Sequence, residues 1–292
     1  MNGLIHNAFS CVRARPIRRP EGPSAMDIAF FYLTVFFYLV ASLGYLAHLV
    51  WLDKPIWRFS RWLLLIGFFC QSASFVLRSV AAGYTPVTNR FEALSFFSWL
   101  LVAVYLLLQL RHALPVLGAF LAPLALALLL MASFRSKQIL PLAQPLDSAW
   151  LPVHVGFAFL GDALLGLSAC FAGMYLIQAR QLKKKRISRF YYRLPPLDVL
   201  DRLSYRCISI GFPSLTIGIL TGSIWLKTGQ QAAYIDWHDG RQTATLLTWF
   251  LYAALLHGRI TAGWRGRRVA WLNVLGFLVI LVTFLTLSHF MQ

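Results

Sequence analysis

An all-α, polytopic membrane bundle of about eight spanning helices, with both termini outside, is the fold this sequence predicts. Three observations carry it. The 292 residues are 59% hydrophobic and only 13% charged, against about 25% charged in a soluble domain. Apolar runs of the roughly 20 residues needed to cross a bilayer recur along the chain. The basic residues crowd into alternate connecting segments, as the positive-inside bias requires. A mean hydropathy of +0.65 leaves no stretch for a separate soluble domain.

The first apolar run covers 27–50, directly after Met26, and closes on "YLAHLVW" with His48. The second, 61–80, follows the basic turn holding Lys54, Arg58 and Arg61. The third, 92–111, opens in "VTNRFEAL" and ends at Arg111. A short turn, "RHALP" with His112, leads into the fourth at 114–133. The fifth, 152–178, starts on "WLPVHVGFAFLGDALL", which holds His154 and Asp162. After the basic run "KKKRISR" comes the sixth, 206–226, in which Pro213 predicts no more than a kink. The patch "YIDWHDGRQTATLLTW" at 234–249 leads into the seventh, 242–260, which ends near His257. The eighth, 269–290, follows "GWRGRR" and reaches His289.

With odd-numbered helices running outside to inside, 17 of the 27 basic residues fall on the inner side. Six, including Arg78, Arg90 and Arg241, fall on the outer side. This topology sets the patch 234–249 outside. The net charge of +17 is then a topology anchor on anionic lipid, not a nucleic-acid surface. Residues 1–25 hold the other four basic residues and lack the apolar core of a signal peptide. They are read as an over-long gene start or a disordered tail, with Met26 as the alternative start. None of the four cysteines forms a C-x-x-C pair, and three lie in apolar runs, so they read as small buried hydrophobes.

Ionisable residues at membrane depth are costly and mark candidate sites. Of seven histidines, His6 and His112 read as solvated. The topology sets His154 and His289 near the outer interface and His48 and His257 near the inner one. A single such imidazole reads as a hydrogen-bonded interfacial side chain. Two pairs at matched depths point instead to axial ligands of an iron porphyrin, held by stiff helices between apolar walls. Asp162 lies two turns below His154, to be paired with a buried cation or kept protonated.

Several stretches resemble CcsA-type cytochrome c assembly proteins. "VTNRFEALSFFSWLLVAVYLLL" is similar to the family segment with an N-x-x-E-[SA]-L core. "WLPVHVGFAFLGDALLGLSACFAGMYL" is similar to the one opening on an outward-facing histidine. "TLLTWFLYAALLHGRITAGWRGRRVAWLNVLGFLVILVTFLTLSHF" resembles the two final helices, with a histidine before the R-x-x-x-G-W-R-G-R-R loop and another at the last outer end. The resemblance covers 84–292, which divides the chain into a tail (1–25), two N-terminal helices (26–83) and an assembly-type domain (84–292).

The resemblance implies haem b handled on the outer side of an energy-transducing inner membrane, for attachment to apocytochrome c. It implies His154 and His289 as axial ligands and His257 as a second haem site inside the membrane. His48 as the partner of His257 comes from matched depth alone. Implied partners are a ResB/CcsB-like membrane protein, apocytochrome c and a thiol-reducing thioredoxin-like protein, the chain being part of a haem lyase or synthetase complex if it is an enzyme at all. The family's tryptophan-rich outer element falls on 238–244, where Asp239 and Thr243 match, but His238, Gln242 and Ala244 replace a tryptophan, an acid and a tryptophan. Trp225, Tyr234 and Trp237 are candidates for the missing ring surface, and Arg241 or Arg90 for pairing with propionates. This departure leaves open a HemX-type regulator of tetrapyrrole synthesis. A generic transporter is less favoured, since no internal repeat is visible.

Overall fold

A computed structural model describes residues 24–51, 54–111, 114–139, 150–185, 191–228 and 240–286. Among them are eight α-helices and no strand. They are α1 (Ala25–Trp51), α2 (Lys54–Ala82), α3 (Arg90–Arg111), α4 (Pro115–Ser133), α5 (Trp150–Lys183), α6 (Leu197–Thr228), α7 (Gly240–Thr261) and α8 (Arg267–Thr286). All but α7 are long and apolar enough to cross a membrane. In α7 the residues Gln242, Thr243, Thr245, Thr248, His257 and Arg259 interrupt the apolar run. The chain is a multi-pass helical membrane protein.

Several helices outrun the predicted spans. With 34 and 32 residues, α5 and α6 reach roughly 50 Å at 1.5 Å per residue, well beyond a hydrocarbon core of about 30 Å. Apolar content marks only where lipid lies, whereas backbone hydrogen bonding ends a helix. α5 stops where Lys185 takes φ 52°, and α6 starts after Pro195–Pro196, with Leu200 N–H donating to the Pro196 carbonyl. The polar extension of α6 is fastened by Arg259 of α7, which pairs with Asp201 (Nη1–Oδ1 3.0 Å) and lies 4.5 Å over the Tyr205 ring. The "AGWRGRR" loop owes its glycines to backbone shape, because Gly263 and Gly266 adopt φ 61° and 82°. Trp264 lies where a side chain on Gly258 would sit.

The helices pack as α1 on α2 and α4, α3 on α4 and α5, α5 on α6 and α8, and α7 on α8 and α6. α5 and α6 meet through small residues. A Cβ at Gly161 would lie 2.7 Å from the Leu215 nitrogen, and one at Gly218 would lie 2.8 Å from the Ala158 Cα. Lipid offers no hydrophobic drive for helix pairing, so such close backbone approach supplies the adhesion. Gly161→Val is expected to cost about 1–3 kcal/mol by overpacking, read as a lower thermal midpoint in detergent.

Polar side chains stitch the interior. Tyr38 donates to Gln71 Oε1 at 2.8 Å, and Gln71 Nε2 donates to the Ser95 carbonyl at 2.9 Å, joining α1, α2 and α3. Across α5, α6, α7 and α8, Asn273 Nδ2 donates to Ser168 Oγ (2.6 Å) and Ser204 Oγ (3.0 Å), while Tyr252 donates to Asn273 Oδ1 (3.0 Å). Asn273→Leu would remove three buried side-chain bonds, leaving Tyr252 the Asn273 carbonyl (3.1 Å) and the two serines each other and the Ser204 carbonyl, at about 1 kcal/mol for each bond lost. Thermal unfolding of that variant checks it: no loss would show that the hydroxyls find other partners.

Candidate functional site

The N-terminal end of α5 carries the best-defined candidate group. His154 lies in the second turn of α5, half-buried against α6. Its Nδ1 is 2.6 Å from the Gly218 carbonyl oxygen. A carbonyl only accepts, so Nδ1 carries a proton, and in the neutral ring the lone pair sits on Nε2. The ring lies where glycine leaves space: a Cβ at Gly222 would be 2.7 Å from His154 Cε1 and Nδ1.

Deeper along α5, Phe159 gathers rings from two other helices. Its centroid is 5.3 Å from Phe96, 6.2 Å from Phe97 and 5.4 Å from Phe284. Phe97 and Phe284 stack at 4.8 Å with 9° between planes, and Phe96 stacks on Trp99 at 5.8 Å. These rings from α3, α5 and α8 make an apolar aromatic layer, one to two turns below His154. Trp249 in α7 packs on Phe212 at 5.4 Å and donates to Thr216 Oγ1 at 2.9 Å, tying α7 to α6.

The N-x-x-E motif is a helix start wired to a buried charge cluster. Asn89 caps α3 through Oδ1, which accepts from the Glu92 N–H at 2.9 Å. Glu92 Oε2 reaches back to accept from Thr88 N (2.9 Å), Thr88 Oγ1 (3.1 Å) and Asn89 N (3.3 Å), a reciprocal cap. Glu92 Oε1 accepts from Arg78 Nε at 2.8 Å. Arg78 also donates to Asp27 Oδ2 (3.3 Å) and to the carbonyls of Lys137 (2.9 Å) and Gln138 (3.3 Å). Arg78, Asp27 and Glu92 are each at most 2% exposed. Sequence reasoning set Arg78 in an outer loop; it lies inside α2 and clamps α1, α3 and the segment after α4. Residue type and position alone carry no sign of this, because the partners Asp27 and Glu92 are 51 and 14 residues away.

The other predicted residues are dispersed. His48 is buried in the last turn of α1. His257 is on the exposed side of α7, in a stripe with Leu247, Phe250 and Ile260. α1 packs on α2 and α4, and α7 on α8 and α6, so these two imidazoles belong to different helix groups. Trp225 falls in the last turn of α6 and Arg241 in the first turn of α7. Arg90 is the first residue of α3. His289, Trp237, His238 and Asp239 lie outside the described residues. No described cation forms a salt bridge with Asp162. Among the described residues, no cluster of three His, Cys, Asp or Glu is placed to hold a bare metal ion.

Residues 87–291 match the model of the family described as cytochrome C assembly protein. The chain belongs to the cytochrome c assembly protein family. Its relatives include the cytochrome c biogenesis protein CcsA of Guillardia theta, 32% identical over 237 residues, covering 74% of this chain and 78% of that protein. CcsA of Synechococcus sp. (strain CC9902) is 31% identical over 285 residues, covering 85% and 93%. Among solved structures, the cytochrome c heme lyase CcmF shares the fold with a TM-score of 0.65 at 18% identity. That likeness covers 93% of this chain and 48% of the lyase, so the chain spans about half the lyase's length. As a member of the cytochrome c assembly family the chain has a role in cytochrome c maturation, which implies haem handling and interaction with apocytochrome c.

Proposed function

We propose that the chain binds haem b at the outer end of its bundle and presents it for attachment to apocytochrome c. The single observation that carries this reading is the anchored imidazole of His154. Its Nδ1–H is used by the Gly218 carbonyl, so a neutral ring has the Nε2 lone pair that an axial iron ligand needs. The residues present suit haem: an imidazole fixed on a helix, with an aromatic layer one to two turns below it. His289 is proposed as the opposite ligand. Trp225, Trp237, His238, Asp239 and Arg241 are proposed to line the site, with Arg241 or Arg90 on the propionates. His257 is proposed as a ligand of a second haem within the membrane; His48, matched to it only by depth in the sequence, belongs to another helix group and is not proposed to share that iron. Both termini are proposed to lie outside, which the charge bias supports, and the membrane is proposed to be a bacterial inner membrane.

Haem would supply the vinyl groups and the redox-active iron, and the protein the positioning. The chain's own work is to orient His154, exclude water with the Phe96, Phe97, Phe159 and Phe284 rings, and hold the outer ends of α1, α2 and α3 through Arg78. A ResB/CcsB-like membrane protein and a thioredoxin-like reductant are the proposed partners. The CcsA relatives are named as biogenesis proteins, which favours this reading over a tetrapyrrole regulator. Purified from haem-replete membranes, the protein is expected to show the Soret and α/β bands of bis-imidazole haem. A colourless preparation under those conditions would overturn the proposal.

A further inference from the structure

The Gly218 carbonyl has two side-chain donors. His154 Nδ1 approaches it at 2.6 Å, and Thr221 Oγ1, one turn on along α6, at 3.0 Å. The Thr221 hydroxyl also reaches the Ile217 carbonyl at 2.8 Å, so its hydrogen is divided between two acceptors. Gly222 completes the seat, because any Cβ there would enter the space of the imidazole. The contact crosses 64 residues of sequence, and Gly218 itself is pressed on the α5 backbone at Ala158. The acceptor is therefore main-chain and held rigidly by the tight α5–α6 seam.

We infer that the Gly218 carbonyl, seated by Gly222 and shared with Thr221, is the positioning group that sets the tautomer and plane of His154 and its strength as a ligand. This rests on the proposal that His154 binds haem iron. An imidazole whose N–H donates to a carbonyl gains electron density at its other nitrogen, which strengthens its bond to iron and favours the oxidised state. Thr221 works against that by taking part of the oxygen's accepting capacity. A seat on backbone is harder to lose by mutation than a carboxylate partner, and it adds no charge at membrane depth.

Two measurements test this. In the haem-free protein labelled with 15N-histidine, with His154 assigned by the loss of its signals in His154→Gln, alkaline spectra are expected to show the proton on Nδ1 and none on Nε2. A proton on Nε2 overturns the inference, and it does so even if haem binding through His154 is then demonstrated. In the haem-loaded protein, Thr221→Val keeps the side chain's shape and leaves His154 as the one of the two side-chain donors still on that oxygen. Its midpoint potential is expected to fall relative to wild type with an unchanged thermal midpoint. Gly222→Ala is expected to displace the ring and raise the high-spin fraction of the optical spectrum. An unmoved potential and spin state in both variants overturns the inference, whatever happens to their stability. Should the wild-type protein take up no haem, the binding proposal fails, while the 15N result still decides whether Gly218 sets the ring.

Discussion

Arg78→Met is expected to destabilise the folded protein by about 3–5 kcal/mol, the cost of leaving buried charges without their partner. Arg78 donates to Glu92 and Asp27 and to two backbone carbonyls, and its guanidinium lies 4.9 Å over the Phe91 ring. Methionine fills much of the volume but returns none of these bonds, so two buried carboxylates lose their shared cation. Lys137 lies close by, its ammonium 5.9 Å from the Phe91 centroid, but it already donates to the Ser133 carbonyl at 2.9 Å. Arg78→Lys is expected to recover only part of the loss, since an ammonium cannot serve four acceptors on two helices and a loop. Thermal unfolding in detergent reads the effect. Pairing Arg78→Met with Glu92→Gln gives the coupling: a double variant more stable than additivity predicts identifies the orphaned carboxylate as the source. Wild-type stability in Arg78→Met would mean that water reaches the cluster and the ion pairs count for little.

His154→Ala is expected to remove most of the outer-site haem and to leave the bundle folded. The side chain bonds the Gly218 carbonyl, and Thr221 remains to serve that oxygen, so losing this bond is expected to cost the fold about 1 kcal/mol. The loss is read as haem per protein in the pyridine haemochrome spectrum, beside an unchanged elution profile. Imidazole added during purification is expected to restore the Soret band, because free ligand replaces the missing nitrogen. His257→Ala is expected to leave the outer-site spectrum intact, since His257 is on α7 at the opposite end of the chain's inferred topology. Retention of full haem and an unaltered spectrum in His154→Ala would remove His154 from the iron.

The helices were legible because a bilayer permits few alternatives. Backbone groups in lipid must be bonded within their own segment, so each apolar run announces a helix. Their ends were not legible, because a polar extension such as that of α6 is held by Arg259 through Asp201 and Tyr205, contacts that leave no trace in hydropathy. The N-x-x-E motif was visible as a family marker, but its work as a cap joined to Arg78 appears only when α2 and α3 are side by side. His154 stood out as an imidazole at the mouth of an apolar run. Its acceptor is a main-chain oxygen on another helix, and no residue type encodes a backbone carbonyl.

Sequence alone therefore determined the class of protein, the number of helices and the family, because composition, periodicity and local motifs are properties of neighbouring residues. Only the tertiary structure decided that Arg78 is a buried hub, that His48 and His257 belong to separate helix groups, and that Gly218 holds His154. Each of these depends on which distant segments share a face, and that follows from close packing between helices, not from the order of residues along one of them.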